Sequence, residues 1–280
     1  MICERVDLYD YYGITRPEGG EGYLYTYIRK NYVEFSDGRR RPAMLVIPGG
    51  GYRMVSDREG CPIAISYLQS GFHAFVLKYS VAPVTFPAQL IEAGMAMAWI
   101  RENADKYGID TEHVASVGFS AGGHLCGMLA TMFDDKSLFD ALGEKAKLCR
   151  PNAVILSYPV ISSGEYAHRG SFINLSGSED QEVQNKYSLE YKVTENTPPA
   201  FIWSTFNDMT VPCENSLYMA LAYRKAKVPM ELHIFEPGRH GLSTCDKDVN
   251  SEENTVRVWL DLSKTWLKNR GFILKNKEEQ

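Results

Sequence analysis

Residues 114–127 read as a strand, a tight turn and a helix in direct succession. The apolar, β-branched stretch that begins at Val114 stops at Gly118, and apolar residues resume a few positions later at helical spacing. Between them lies the pentapeptide Gly118-Phe-Ser120-Ala-Gly122, which is typical of a serine held on a sharp strand-to-helix corner. The two glycines lack the Cβ atoms that would collide where a strand and a helix approach so closely. The segment therefore predicts a strained serine between a buried strand and a helix.

Gly123 and His124 follow this corner directly. With them, the segment resembles the serine elbow of the α/β-hydrolases, and more narrowly that of the small esterases related to acetylxylan esterases and the hormone-sensitive-lipase group. The resemblance implies that Ser120 is a nucleophile and that the amide of Ala121, at a helix N-terminus, faces a developing negative charge. A motif with three fixed positions also occurs by chance, so a surface serine on a plain β–α turn is the alternative.

Strands and helices are predicted to alternate along the chain. After residue 40, and besides the strand before Ser120, the predicted strands are 43–47, 74–79, 153–158, 200–204 and 230–235. Besides the helix after Ser120, the predicted helices are 61–70, 88–107, 217–226 and 256–267. This alternation predicts a mostly parallel central sheet with helices on both faces, as in the α/β-hydrolase fold. Residues 23–28 alternate like an antiparallel strand at the edge of that sheet.

The chain of 280 residues contains no internal repeat, and its length favours a single α/β-hydrolase domain spanning 1–280. Within it, residues 159–199 are rich in polar residues and have few aliphatic ones. We expect this segment to form a lid or to line the cleft, and a solvated surface excursion is the alternative.

Charge and composition exclude several classes of partner. The formal net charge is −5, which gives no electrostatic case for a nucleic acid or an anionic membrane. Residues 1–7 contain no apolar region of a secretory signal, and no apolar run reaches membrane-spanning length, so a cytoplasmic location is expected. The six cysteines form neither a C-x-x-C pair nor a zinc-type cluster, which predicts free thiols and no metal site.

A glycine loop, Pro48-Gly-Gly-Gly51, follows the predicted strand 43–47. Consecutive glycines let the backbone turn its amides inward, although a plain connector is the alternative. In the lipases and esterases that the chain resembles, the matching HGGG-type loop supplies the oxyanion hole. Pro48 stands where the histidine would be, a departure that acetylxylan-esterase-like members tolerate. The resemblance thus assigns the amides of Gly50 and Gly51, together with that of Ala121, to an oxyanion hole.

A serine becomes a good nucleophile when an imidazole takes its proton and an acid fixes that imidazole. Asp208 comes just after the predicted strand 200–204, and His240 just after 230–235, in the order serine, acid, histidine that this fold requires. Both positions match the family's motifs. Other candidates are weaker. His233 lies within a predicted strand, His124 lies on the helix after Ser120, and His168 precedes the acid in the chain. Asp180 and Asp246 have no predicted strand immediately before them.

These residues predict acyl transfer in two halves. His240 deprotonates Ser120, the serine attacks an ester carbonyl, and water activated by the same imidazole then releases the acid. The oxyanion amides stabilise the tetrahedral intermediates. The chemistry needs neither a metal nor an organic cofactor.

The resemblance implies a small-molecule ester substrate with a short acyl group, and the polar segment 159–199 suits a sugar better than a fatty chain. We therefore expect a cytoplasmic carboxylesterase that removes acetyl groups from carbohydrate such as acetylated xylo-oligosaccharides. Candidate substrate contacts, chosen by their positions near the predicted cleft, are Tyr52, Arg53, Tyr158 and His168. The alternatives are a broad small-ester carboxylesterase, an arylformamidase or a peptidase of the same fold, and a non-catalytic binding member.

Overall fold

The computed structural model describes residues 1–32, 34 and 38–275. Within this part of the chain one sheet has the order β1-β2-β4-β3-β5-β6-β7-β8. Its strands are β1 (Arg5–Asp7), β2 (Tyr23–Tyr27), β3 (Arg41–Ile47), β4 (His73–Lys78), β5 (Ile109–Phe119), β6 (Ala153–Ser157), β7 (Ala200–Thr205) and β8 (Met230–Phe235). The pairs from β4 to β8 are parallel, and those of β2 with β1 and β4 are antiparallel. The predicted α/β-hydrolase architecture is confirmed.

The prediction that residues 23–28 form the edge of the sheet is wrong. β1 pairs with β2, with Arg5 opposite Tyr25, and takes the edge position instead. A strand of three residues is too short to show an alternating pattern, so the sequence gives no sign of it.

The helices of the described residues pack on both faces of the sheet. They are α1 (Leu8–Tyr12), α2 (Cys61–Gln69), α3 (Ala88–Glu102), α4 (Ala104–Tyr107), α5 (Ala121–Thr131), α6 (Lys136–Leu142), α7 (Arg169–Ser176), α8 (Gln181–Asn185), α9 (Glu214–Lys225), α10 (Asn254–Arg257) and α11 (Trp259–Lys268). The predicted helix 88–107 is interrupted at Asn103, whose side chain bonds to the carbonyl of Trp99 (2.9 Å). It ends as expected at Gly108, which has a left-handed conformation (φ 68°).

Two apolar cores lie on opposite faces of the sheet. Leu45 and Ile47 of β3 pack with α3 and α5 on one face, whereas Met44 and Val46 pack with α2 and α11 on the other. This explains why the sequence of β3 is a nearly continuous apolar run, since both of its faces are buried. Each such side chain contributes about 1.5–3 kcal/mol to folding. In 1–32, 34 and 38–275, none of the helices has both the length and the apolarity of a membrane span.

The parallel strands place their carboxyl ends at one edge of the sheet. The loops that follow β3, β5, β7 and β8 meet there, which is where ligands bind in open α/β sheets. Residues 159–199, between β6 and β7, carry α7 and α8.

Candidate active site

Ser120 connects β5 to α5 in a backbone conformation that few non-glycine residues adopt (φ 53°, ψ −119°). Its amide is held by the carbonyl of Ser157 on the neighbouring strand (3.0 Å). A Cβ atom at Gly118 would lie 2.2 Å from the carbonyl oxygen of Gly122, and one at Gly122 would lie 2.2 Å from that of Pro48. The close approach of strand, helix and glycine loop therefore requires both glycines, as the motif predicts.

The side chains of Ser120, His240 and Asp208 form one hydrogen-bonded chain. Nε2 of His240 lies 2.8 Å from the Ser120 hydroxyl, and Nδ1 lies 2.6 Å from Oδ2 of Asp208. Because a carboxylate only accepts, Nδ1 carries the imidazole proton and Nε2 presents its lone pair to the serine. Oδ1 of Asp208 accepts from the amides of Thr210 and Val211, both at 2.9 Å. The structure thus brings together three residues that are up to 120 positions apart in sequence.

Gly50 and Gly51 line the same cavity as Ser120, and their carbonyl oxygens accept hydrogen bonds from other groups. The carbonyl of Gly50 accepts from the amide of Met54 (3.2 Å), and that of Gly51 accepts from the side-chain amide of Asn174 (2.8 Å). Among the described residues, the amides of these glycines donate to no protein acceptor. The amide of Ala121 is the first of α5 and has no acceptor within the helix. The amides of Gly50, Gly51 and Ala121 are therefore donors without a protein acceptor among the described residues.

A cavity of about 480 Å³ opens over Ser120 and His240. Gly50 and Gly51 line one side, and His168 and Asn174 of segment 159–199 line another. Arg53, which is exposed, also lines the cavity, as does Arg58. Nδ1 of His168 bonds to the Ser171 hydroxyl (2.8 Å), and burial, with a smaller effect of His240, lowers the pKa of His168. Arg53 and His168 are thus where substrate contacts are expected. In the described ranges, no group of three His, Cys, Asp or Glu side chains could hold a metal ion.

This elbow, the glycine loop and the order of the three polar residues agree with one family. A model of the BD-FAE family matches residues 32–222. The chain belongs to the BD-FAE family. The resemblance to acetylxylan-esterase-like α/β-hydrolases is confirmed by this match and by the relatives that follow.

Relatives of this BD-FAE member include a protein named as a xylanase and one named as an acetylxylan esterase. Endo-1,4-beta-xylanase B of Butyrivibrio fibrisolvens is 42% identical over 222 residues, which cover 77% of this chain and 35% of that protein. An acetylxylan esterase of Xylanibacter ruminicola is 35% identical over 208 residues, which cover 71% of this chain and 40% of the esterase. The chain therefore spans well under half the length of these curated relatives. The crystal structure of an acetyl ester-xyloside bifunctional hydrolase from Caldicellulosiruptor lactoaceticus matches with a TM-score of 0.78 and 36% identity, covering 90% of this chain and 89% of that one.

Tyr52 of this BD-FAE member is not at the rim of the cleft, and its predicted position is corrected. The side chain is fully buried, and its hydroxyl donates to Nδ1 of His124 (2.9 Å), whose Nε2–H donates to the carbonyl of Tyr187 (2.8 Å). Burial lowers the pKa of His124 to about 4, which keeps it neutral and able to accept from Tyr52. Tyr52 therefore ties the glycine loop to α5 instead of facing substrate.

Tyr158 is likewise corrected, because it lies behind the imidazole and not in the cleft. It is 2% exposed, and its ring packs edge-on against that of His240, with 5.0 Å between ring centroids. Its hydroxyl donates to Oε1 of Glu59 (2.7 Å) and accepts from the amide of Ser243 (3.0 Å). Burial, reinforced by the Glu59 carboxylate, raises the pKa of Tyr158, so the phenol stays protonated.

Glu59 is the functional candidate that the sequence analysis missed. It is 3% exposed and lines the cavity, and its Oε2 accepts from the amide of Gly49 (2.8 Å). Nothing in its local sequence separates it from Asp57, an exposed acid in the same 3₁₀ turn. Only the packing of the glycine loop over this turn distinguishes the two.

Proposed function

We propose that the protein is a serine carboxylesterase that removes short acyl groups, chiefly acetyl, from carbohydrate such as acetylated xylo-oligosaccharides. The observation that carries this proposal is the hydrogen-bonded chain from Asp208 through His240 to Ser120, which ends at the floor of an open cavity. An imidazole in this arrangement can accept the serine proton while the carboxylate stabilises the imidazolium that forms.

In the first half-reaction, Nε2 of His240 takes the proton of Ser120 as Oγ attacks the ester carbonyl carbon. The carbonyl oxygen becomes an oxyanion, which accepts hydrogen bonds from the amides of Gly50, Gly51 and Ala121. The intermediate then collapses. The bond to the leaving oxygen breaks, His240 protonates the departing alcohol, and the acyl group stays on Ser120 as an ester.

In the second half-reaction, a water molecule replaces the alcohol. His240 takes one proton from this water as its oxygen attacks the acyl carbon, and the same three amides hold the second oxyanion. When the bond to Oγ breaks, His240 returns the proton to Ser120. The products are the free acid and the original enzyme, with no cofactor consumed.

The substrate class is supported by the cavity and by the relatives. A volume of about 480 Å³ suits a short acyl group with part of a sugar. Polar side chains of Arg53, Ser56, Asn174 and Thr210 line it and can hydrogen-bond to hydroxyl groups. Two relatives named above are an acetylxylan esterase and an acetyl ester-xyloside hydrolase.

Turnover of p-nitrophenyl acetate by the wild type and by Ser120→Ala tests the reaction. We expect the variant to lose nearly all activity, and equal rates would overturn the proposed mechanism. Rates on acetylated xylo-oligosaccharides, compared with aryl acetates and longer-chain esters, test the substrate class. A higher kcat/KM on the sugars is expected, whereas no preference for them would favour a broad small-ester carboxylesterase.

The proposal includes a single catalytic domain acting in the cytoplasm. All strands of the described residues belong to one sheet, and segment 159–199 contributes His168, Gly170 and Asn174 to the cavity wall. All six cysteines are free thiols, which is the state that a reducing compartment maintains. Localisation of the tagged chain in its own cell by fractionation would test this part of the proposal.

A further inference from the structure

Glu59 is a buried carboxylate that the reaction described above does not use. In the described part of the chain its hydrogen-bond donors are neutral groups, the amide of Gly49 and the hydroxyl of Tyr158, and no ion pair with a described residue reaches it. Burying a carboxylate without a counter-ion costs several kcal/mol, a cost that an apolar side chain of similar volume avoids. The two hydrogen bonds are therefore what a carboxylate, and not a hydrophobic residue, provides at this position.

The first of these bonds is made by the glycine loop 48–51, which we call the oxyanion loop. Gly49 is held between Glu59 and the nucleophile: a Cβ atom added to it would lie 2.8 Å from Oε2 of Glu59 and 3.0 Å from Cβ of Ser120. Its amide donates to Glu59 (2.8 Å), and its carbonyl accepts from the amide of Ser56 (2.9 Å). The peptide units that follow Gly49 carry the proposed oxyanion donors, so a shift of Gly49 would displace them relative to Ser120.

The second bond leads, through Tyr158, to the loop that contains His240 and Ser243, which we call the His240 loop. Tyr158, which donates to Oε1 of Glu59, supports the His240 ring with its own ring and accepts from the amide of Ser243 (3.0 Å). The hydroxyl of Ser243 in turn donates to the carbonyl of Arg58, the residue before Glu59 (2.5 Å). The turn after His240 is thus joined twice to the 3₁₀ turn that carries Glu59.

From this geometry we infer that Glu59 is a positioning residue. Its carboxylate accepts from both sides and fixes the position of the oxyanion loop relative to the His240 loop. The inference rests on the proposed esterase function. Two oxygens of one rigid group accept from two separate parts of the site, so a displacement of either part is opposed by the other. Hydrogen bonds to an ionised acceptor are shorter and stronger than neutral ones, which suits this task.

Glu59→Gln tests the inference while keeping the side-chain volume. A glutamine has one acceptor oxygen, so it can accept from the amide of Gly49 or from the hydroxyl of Tyr158, but not from both. Tyr158→Phe removes the second bond and leaves the buried charge in place, so it decides the question if Glu59→Gln does not fold. Asp57→Asn removes an exposed carboxylate from the same 3₁₀ turn and is the matched control.

The assay is p-nitrophenyl acetate hydrolysis, with active sites counted by stoichiometric reaction of Ser120 with diethyl p-nitrophenyl phosphate. Per titrated site, we expect Glu59→Gln to lower kcat ~10–100-fold with KM changed by less than ~3-fold, because misplaced oxyanion donors act on the transition state. The Ki of a short alkyl trifluoromethyl ketone, which forms an oxyanion on Ser120, should rise by a similar factor. Asp57→Asn should behave like the wild type.

Tyr158→Phe should lower kcat by a smaller factor, roughly 3–10-fold, since the bond of Glu59 to Gly49 survives. In the double variant the combined loss should be less than the product of the two single losses, because both changes break the same bond. A purely structural Glu59 would instead lower the melting temperature and leave kcat per titrated site within ~2-fold in both single variants, and that result would overturn the inference. Failure of the proposed function looks different, since the wild type would then be no faster than Ser120→Ala.

Discussion

The strongest single prediction concerns Asp208→Asn, because the surroundings of Asp208 dictate how an asparagine must orient. Oδ1 accepts from the amides of Thr210 and Val211. Turning an amide group toward these two donors would leave both without an acceptor, at about 1–3 kcal/mol for the buried amide of Val211 alone. The asparagine oxygen therefore stays on that side, and its NH₂ group faces Nδ1 of His240.

An NH₂ group at this position selects the wrong tautomer of His240. Nδ1 must then accept, so the imidazole proton moves to Nε2 and points at the Ser120 hydroxyl, where no lone pair remains to take the serine proton. We expect kcat to fall by roughly 10³–10⁴-fold near pH 7, as the same change does in serine proteases, with the fold intact.

The measurement is kcat for p-nitrophenyl acetate per titrated active site, together with the urea midpoint of unfolding. Asp261→Asn, which removes an exposed carboxylate on α11, is the control and should retain wild-type kcat. An Asp208→Asn enzyme within tenfold of the wild type, with unchanged stability, would refute the tautomer argument.

Three further changes follow from the geometry. Gly50→Ala should lower kcat at least ~10-fold, because the added Cβ would lie 2.1 Å from the carbonyl oxygen of Met54 at φ 129°, and kinetics alongside a melting curve check this. Trp259→Ala should cost about 3–5 kcal/mol in urea unfolding, since this fully buried ring stacks on Trp203 at 4.8 Å; a loss below 1 kcal/mol would contradict it. Burial lowers the pKa of His124 to about 4, so on acidification this residue binds a proton in the unfolded chain before it does so in the folded protein. The free energy of unfolding should therefore fall as the pH drops from about 6.5 toward 4. His124→Gln, compared by urea unfolding at several pH values, should reduce that slope.

Features that depend on local pattern were predictable from the sequence. The strands after residue 40 and the elbow follow from apolar runs and glycine spacing, and the loop positions of Asp208 and His240 follow from the order of the strands. Because parallel strands end at one edge, the convergence of these side chains could be expected before any coordinates were known.

Features that depend on side-chain direction were not predictable. Tyr52 follows the glycine loop directly in sequence, yet its left-handed backbone (φ 55°) turns the ring inward. Tyr158 also has a positive φ (37°), which directs its ring behind His240. Glu59 became a candidate only when the structure showed which groups cover its turn. Aromatic and acidic residues near a cleft are therefore poorly assigned by position alone.

Residues 159–199 form part of the cavity wall, and they belong to a different stretch of the chain from the residues proposed to carry out the reaction. His168 and Asn174 come from the segment between β6 and β7, whereas the proposed nucleophile, base and acid follow β5, β8 and β7. Exchange of this segment between relatives would change the wall that the proposed substrate meets, while the proposed catalytic residues stay the same. One scaffold would thereby present different cavity walls around the same three residues.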